Sequence, residues 1–217
     1  MSGQCEILDI LDYRGRVIGT ADRETANRSG LLHLCSQIWI VAPEGFGSSA
    51  PSLFFQKRSP RKPVAPGLFD ATACGHVQSG ATAKRTAMAE AMEEVGIALE
   101  ERDISYLGRR FDQYQEGPID SRAFVDVFLA VLDRSKVDFR ILPEELDDMA
   151  EVSLEEGMAF FSGAKDELGA TLLGSGRAWD QKCALVDSDF IYRHDRYYYK
   201  VCHAAHAKLN GLPLPSM

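Results

Sequence analysis

Residues 74–97, CGHVQSGATAKRTAMAEAMEEVGI, join a turn-rich segment to an alanine-rich run. Ala83, Ala87, Ala91 and Val95 recur at a period of four, which predicts a helix over residues 82–95 with Gly96 as its stop. Glu90, Glu93 and Glu94 stand at i, i+3 and i+4, so they project together from the side opposite the alanine stripe. Three carboxylates on one face repel one another unless a cation joins them. Hard divalent ions such as Mg²⁺ take carboxylate and water oxygens and bridge to substrate phosphates. The alternative for such a cluster is a solvated acidic face.

Outward from this helix the chain alternates strands with loops. Residues 5–12 and 13–21 read as a hairpin turning at Gly15. After a polar segment, 22–30, residues 31–42 (LLHLCSQIWIVA) and 52–59 (SLFFQKRS) read as a hairpin with a long loop. Residues 60–77 hold too much proline and glycine for a helix. Residues 103–114 and 122–133 read as two more strands around the turn QEGPID. Residues 142–163 read as a short acidic segment and an amphipathic helix, and the tail is helical from Tyr197 to Leu209. Strand runs interrupted by helices predict an α/β (α+β) helix–sheet–helix sandwich with a mixed sheet.

The composition limits the function. A chain of 217 residues that is 45% hydrophobic and 26% charged suits a globular domain, alone or with an extension. Its net charge of -8, from 24 Lys and Arg against 32 Asp and Glu, argues against nucleic-acid partners, which need concentrated positive charge. No apolar run is long enough to span a bilayer and the N-terminus shows no leader, so no membrane partner and a cytoplasmic location are expected. Cys5, Cys35, Cys74, Cys183 and Cys202 form no CxxC pair and read as free thiols.

The carboxylate face and the glycine before it resemble the signature of the Nudix hydrolase superfamily. That signature is Gly, five residues, Glu, seven residues, then Arg-Glu-apolar-x-Glu-Glu-x-Gly-apolar. Gly75, Glu90, Ala91, Glu93, Glu94, Gly96 and Ile97 fall in register, whereas Ala81 and Ala89 stand where the family has its first Glu and its Arg. The likeness runs over roughly residues 5–160. Within it, "GLLHLCSQIWIV" and "FFQKRSPRKPVAPGLFDATACGHVQSG" look like the isopentenyl diphosphate isomerase-related subgroup. In the isomerases the CGH tripeptide carries a catalytic Cys and a metal-binding His, here Cys74 and His76, and a second metal-binding His matches His33. Ala26, Ser121 and Ala123 replace the rest of that set, which favours the hydrolase side.

The resemblance implies a divalent-metal-dependent hydrolase that cleaves a diphosphate bond in a nucleoside diphosphate-linked or related small molecule. Glu90, Glu93 and Glu94 would hold Mg²⁺ or Mn²⁺ and carry catalysis. Arg58 and Lys62, thickened by Lys57 and Arg61, with Gly75 and His76, would bind the diphosphate. By position, Glu116 or Asp120 could serve as a further acid. The losses at residues 81 and 89 keep open a Nudix-fold binding protein, and less so an isomerase. Cys74 reads as a small loop residue, His33 as a hydrogen-bonded core residue, and His203 and His206 as surface residues. Tyr197, Tyr198 and Tyr199 would pack the tail against the domain or a partner chain, a homodimer. The expected organisation is a Nudix domain with an N-terminal hairpin over residues 1–165, and a helical extension over 166–217 packing on it.

Overall fold

The alanine stripe forms the helix it predicts. In a computed structural model that describes residues 6–43, 50–174 and 181–217, helix α2 spans Ala83–Val95. The Thr82 side chain caps its start by accepting the Arg85 N–H, and Gly96 ends it in the left-handed region at φ 73°. Ala83, Ala87, Ala91 and Val95 are buried against the sheet. Small side chains there let the helix backbone lie close to the strands.

The sheet is mixed and nine-stranded. Its main path is β11 (Gln181–Leu185), β10 (Leu168–Leu172), β9 (Leu146–Ser153), β4 (Ser52–Arg58), β3 (His33–Ala42), β8 (Ile119–Val131) and β7 (Ile104–Glu116). Two short strands branch from it, β5 (Phe69–Asp70) on β4 and β6 (Ala73–His76) on β3. Strands β3 and β8 run parallel, from His33 opposite Ala123 to Val41 opposite Val131, and the other pairs are antiparallel. A separate hairpin, β1 (Ile7–Leu11) with β2 (Val17–Asp22), precedes the sheet.

Alternation along β3 sends its side chains to two cores. Ile38 and Ile40 pack with α2, whereas Trp39 and Val41 pack with α3 (Leu154–Ser162) and α4 (Tyr197–Leu209) on the other face. The expected α+β helix–sheet–helix sandwich is therefore present. Strands β3 and β4 pair only near their loop, at Val41–Leu53 and Ala42–Ser52. Below that the sheet parts, and β6 and β5 border the gap.

Several local expectations need correction. Residues Arg23–Arg28 of the polar segment form a short helix, α1, capped by the Asp22 side chain. The acidic segment runs into strand β9, where Asp147 is exposed but Asp148 and Glu151 are buried with partners. Asp148 accepts the Met149 and Gly174 N–H groups, and Glu151 pairs with Arg134. Residues 166–217 carry strands β10 and β11 besides their helix, so "helical" describes only part of that segment. Cys74 lies on β6, not in a loop. The helix from Tyr197 to Leu209 is as expected, with Tyr197 and Tyr198 buried in the domain core and His203 and His206 exposed. Cys35, Cys74, Cys183 and Cys202 are free thiols, and Cys5 lies outside the described residues. No helix among the described residues is long and apolar enough to cross a membrane.

Candidate active site

Helix α2 brings its carboxylates to strand β6. Strand β6 pairs with β3, and the Glu94 carboxylate takes the Cys74 N–H at 2.9 Å. Glu94 is 7% exposed, whereas Glu93 is exposed, so this is not a uniformly solvated acidic face. Glu90 lies against Gly75, where a Cβ would meet its Oε1 at 1.8 Å. Only glycine leaves room for that carboxylate.

Burial pushes the Glu90 carboxyl up to about 8, helped by the charges of Glu94 and Glu93. Burial raises Glu94 to about 7, against the lowering pull of the Cys74 N–H and Lys62. Among the described residues no hydrogen-bond donor relieves Glu90. Two crowded, partly desolvated carboxylates suit a hard divalent cation, so the residues present fit Mg²⁺ or Mn²⁺. Ala81 and Ala89 are both exposed.

The three glutamates line a cavity of about 620 Å³. Arg58 and Lys62 line it too, as expected, with the Arg58 Nε donating to the Val64 carbonyl at 3.0 Å and Lys62 paired with Glu145. Gly75 and His76 also belong to the wall. Lys57 instead pairs with Asp147, and neither it nor Arg61 reaches the cavity lining. Glu116 and Asp120 are likewise absent from it, being held by Tyr114 and by Arg122 with Gln113. The additional carboxylates near Glu90 in the cavity wall are Glu6 and Glu145.

A second group of donors lies beside these carboxylates, with Cys35 and His76 in the cavity wall and His33 buried behind them. The donor atoms of His33, Cys35 and His76 all fall within 4.8 Å of one another. His33 Nδ1 donates to the Leu31 carbonyl at 2.8 Å, which leaves a buried Nε2 with no partner. Burial lowers His33 and holds His76 well below the usual range, so both rings stay neutral ligand types. Two imidazoles and a thiol suit a softer ion than magnesium. The Cys74 thiol, which accepts from Gln56 Nε2 at 3.2 Å, is pushed well up by burial and then by Glu94. That disfavours the thiolate a nucleophile needs.

Sequence reasoning missed Arg23, Asp70, Asp112 and Arg193, which also line the cavity. Arg193 is held between Asp70, at 2.9 Å, and Asp112. Its partners lie far away in the chain, so no local pattern marks it. The nearest signal is the cluster of charge among the aromatics of residues 189–200.

Comparison with known proteins bears on the family and the fold. The family model described as NUDIX domain matches residues 38–170. The chain is 27% identical over 199 residues to an uncharacterized Nudix hydrolase of Clostridium acetobutylicum, covering 90% of this chain and 94% of the relative. It is 30% identical over 162 residues to one of Yersinia pestis, covering 70% and 75%. Among solved structures, a NUDIX hydrolase from Alicyclobacillus acidocaldarius aligns with TM-score 0.52 at 12% identity, over 83% of this chain and 96% of the other. A MutT/nudix family protein from Enterococcus faecalis aligns with TM-score 0.53 at 10% identity, over 82% and 62%. Those two structural likenesses speak for the fold.

Proposed function

The chain belongs to the NUDIX domain family, and on that premise we propose that it is a divalent-metal-dependent hydrolase of a small-molecule diphosphate, acting in the cytoplasm. The observation that carries this reading is the meeting of Glu90 and Glu94 with Gly75 and Cys74 at the cavity. Glu90, Glu93 and Glu94 would hold a Mg²⁺ or Mn²⁺ ion, which would supply neutralisation of diphosphate oxygens and acidification of a water. The chain's own residues do the rest. Arg58 and Lys62 hold the phosphate oxygens. Glu94, fixed by the Cys74 N–H, is oriented for one task, and Glu90, with no donor of its own, can take a proton from the attacking water.

A panel of nucleoside diphosphate-linked and other diphosphate compounds tests the reading. Mg²⁺-dependent release of monophosphate or phosphate from at least one is expected, and Glu94→Gln should slow it about a hundredfold, as removal of a general base or metal ligand does. No turnover across the panel with either ion would favour a Nudix-fold protein that binds without hydrolysing, consistent with Ala81 and Ala89. Isomerase chemistry is a second reading, supported by the convergence of His33, Cys35 and His76. It conflicts with the raised Cys74 thiol and with Ser121 and Ala123 in the cavity wall. Isopentenyl diphosphate should give no dimethylallyl diphosphate above background.

A further inference from the structure

We propose that Asp112, positioned by Arg193 from beyond the family domain, is a specificity-determining residue that accepts hydroxyl groups of the part of the substrate remote from the scissile diphosphate. The proposal rests on the hydrolase reading, because it takes the carboxylate end of the cavity as the diphosphate end. Sheet register fixes the distance between the two ends. His76 on β6 pairs with Cys35 on β3, Cys35 with Val125 on β8, and Val125 with Arg110 on β7. Asp112 lies two residues along β7 from Arg110, opposite Ala123, and so on the same face. Three strand spacings separate β6 from β7, roughly 14 Å. A diphosphate held at Glu90, Glu94, Arg58 and Lys62 therefore extends its attached group along the floor toward Asp112.

That end is built from charge. The Asp112 Oδ1 accepts from Arg110 Nη2 at 3.1 Å and its Oδ2 from Arg193 Nη1. An ionised carboxylate has about four lone-pair sites, so two remain. The Asp112 side chain is 18% exposed, whereas those of Arg110 and Arg193 are 4% and 6% exposed, so the acid is what a ligand reaches, while Arg110 Nη1 and Arg193 Nε lie buried without a partner among the described residues. Asp195 holds Arg110 from the other side at 2.9 and 3.1 Å, and Asp70 holds Arg193. Both guanidiniums are thus fixed before any ligand arrives. Two anchored cations aim the Asp112 carboxylate, which suits vicinal hydroxyls and penalises an apolar chain that would leave its remaining sites without donors. Gln37 adds to the polarity, since it accepts from the Tyr197 hydroxyl at 2.6 Å and lines the same wall.

The ligand class this end takes is a sugar-bearing diphosphate rather than a prenyl diphosphate. Isothermal titration in Ca²⁺, used in place of Mg²⁺ to suppress turnover, tests it with ADP-ribose, UDP-glucose, isopentenyl diphosphate and inorganic diphosphate. At least one sugar-bearing compound should bind the unaltered protein about tenfold or more tighter than the other two, since hydrogen bonds to a charged acceptor are the strong ones. Asp112→Asn and Arg193→Lys should erase most of that preference while leaving inorganic diphosphate affinity unchanged. Equal affinities for all four compounds, or variants that weaken inorganic diphosphate as much as the sugar compounds, would overturn the proposal. The comparison of ligands on the unaltered protein decides it even if a variant fails to fold. The two readings fail differently: loss of the hydrolase reading shows as no turnover with the preference intact, and loss of this one as turnover without preference.

Discussion

Glu90 and Glu94 are held where their charge is costly, and their titration should be visible in stability. Their folded-state values, about 8 and about 7, lie above the ordinary carboxylate range. A raised acid contributes stability that is full below its unfolded value and is lost as pH rises through its folded value. Without metal, the thermal midpoint should therefore fall between pH 5 and pH 8 by more than the surface acids account for. Millimolar Mg²⁺ or Mn²⁺ should restore it at pH 8, because binding to the native state stabilises by mass action. Glu94→Gln should flatten the metal-free pH slope and remove most of the metal-induced gain. A parent protein with no metal-dependent shift would show that these carboxylates hold no ion. The spacing of the three glutamates is local and legible in the sequence. Their unequal burial is not, because it depends on Gly75 and Cys74 arriving by way of β6. Asp112 and Arg193 were illegible for a stronger reason: each is defined by partners on other strands and in the C-terminal segment.

Helix α2 positions the site through what it lacks. Ala91 is fully buried and packs with Ile38 and Val95, so its methyl sets how near the helix lies to the strands. Ala91→Leu adds volume where there is none and should cost about 1–3 kcal/mol through displacement of the helix. Because Glu90 and Glu94 ride on that helix, turnover should fall more steeply than the thermal midpoint. A variant that loses stability but keeps full turnover would show that the carboxylates tolerate movement. The element was readable because its signals agree: alanines at period four and a glycine stop. Strand β9 was unreadable because its pattern conflicts with its place. Asp148 and Glu151 interrupt the apolar alternation expected of a strand, yet they are buried with Gly174, Met149 and Arg134 as partners, two of them from other segments. Short α1 and strands β10 and β11 gave too few residues for a period to emerge.

The family match ends at residue 170, but the folding unit does not. Helix α4 supplies Tyr197, Tyr198, Val201, Cys202, Ala204 and Ala205 to the same core as Trp39 and Phe55. The Trp39 indole N–H donates to the Tyr197 hydroxyl at 2.8 Å, and the Arg110 guanidinium stacks 4.4 Å above the Tyr197 ring. A chain cut after residue 165 would expose Trp39 and leave Arg110 and Asp70 without Asp195 and Arg193. Stranding a buried charge costs about 3–5 kcal/mol, against a whole-domain stability of about 5–15 kcal/mol, before any lost apolar burial is counted. The truncated chain should therefore keep much of its far-ultraviolet signal but lose its near-ultraviolet aromatic signal and its cooperative thermal transition. Supplying residues 166–217 as a separate peptide should recover part of both. A truncated chain that melts sharply near the parent midpoint would instead make residues 1–165 a self-sufficient domain, with the extension only resting upon it. Loss of cooperativity would mean that the segment carrying Arg193 to the cavity wall is also what lets the cavity form.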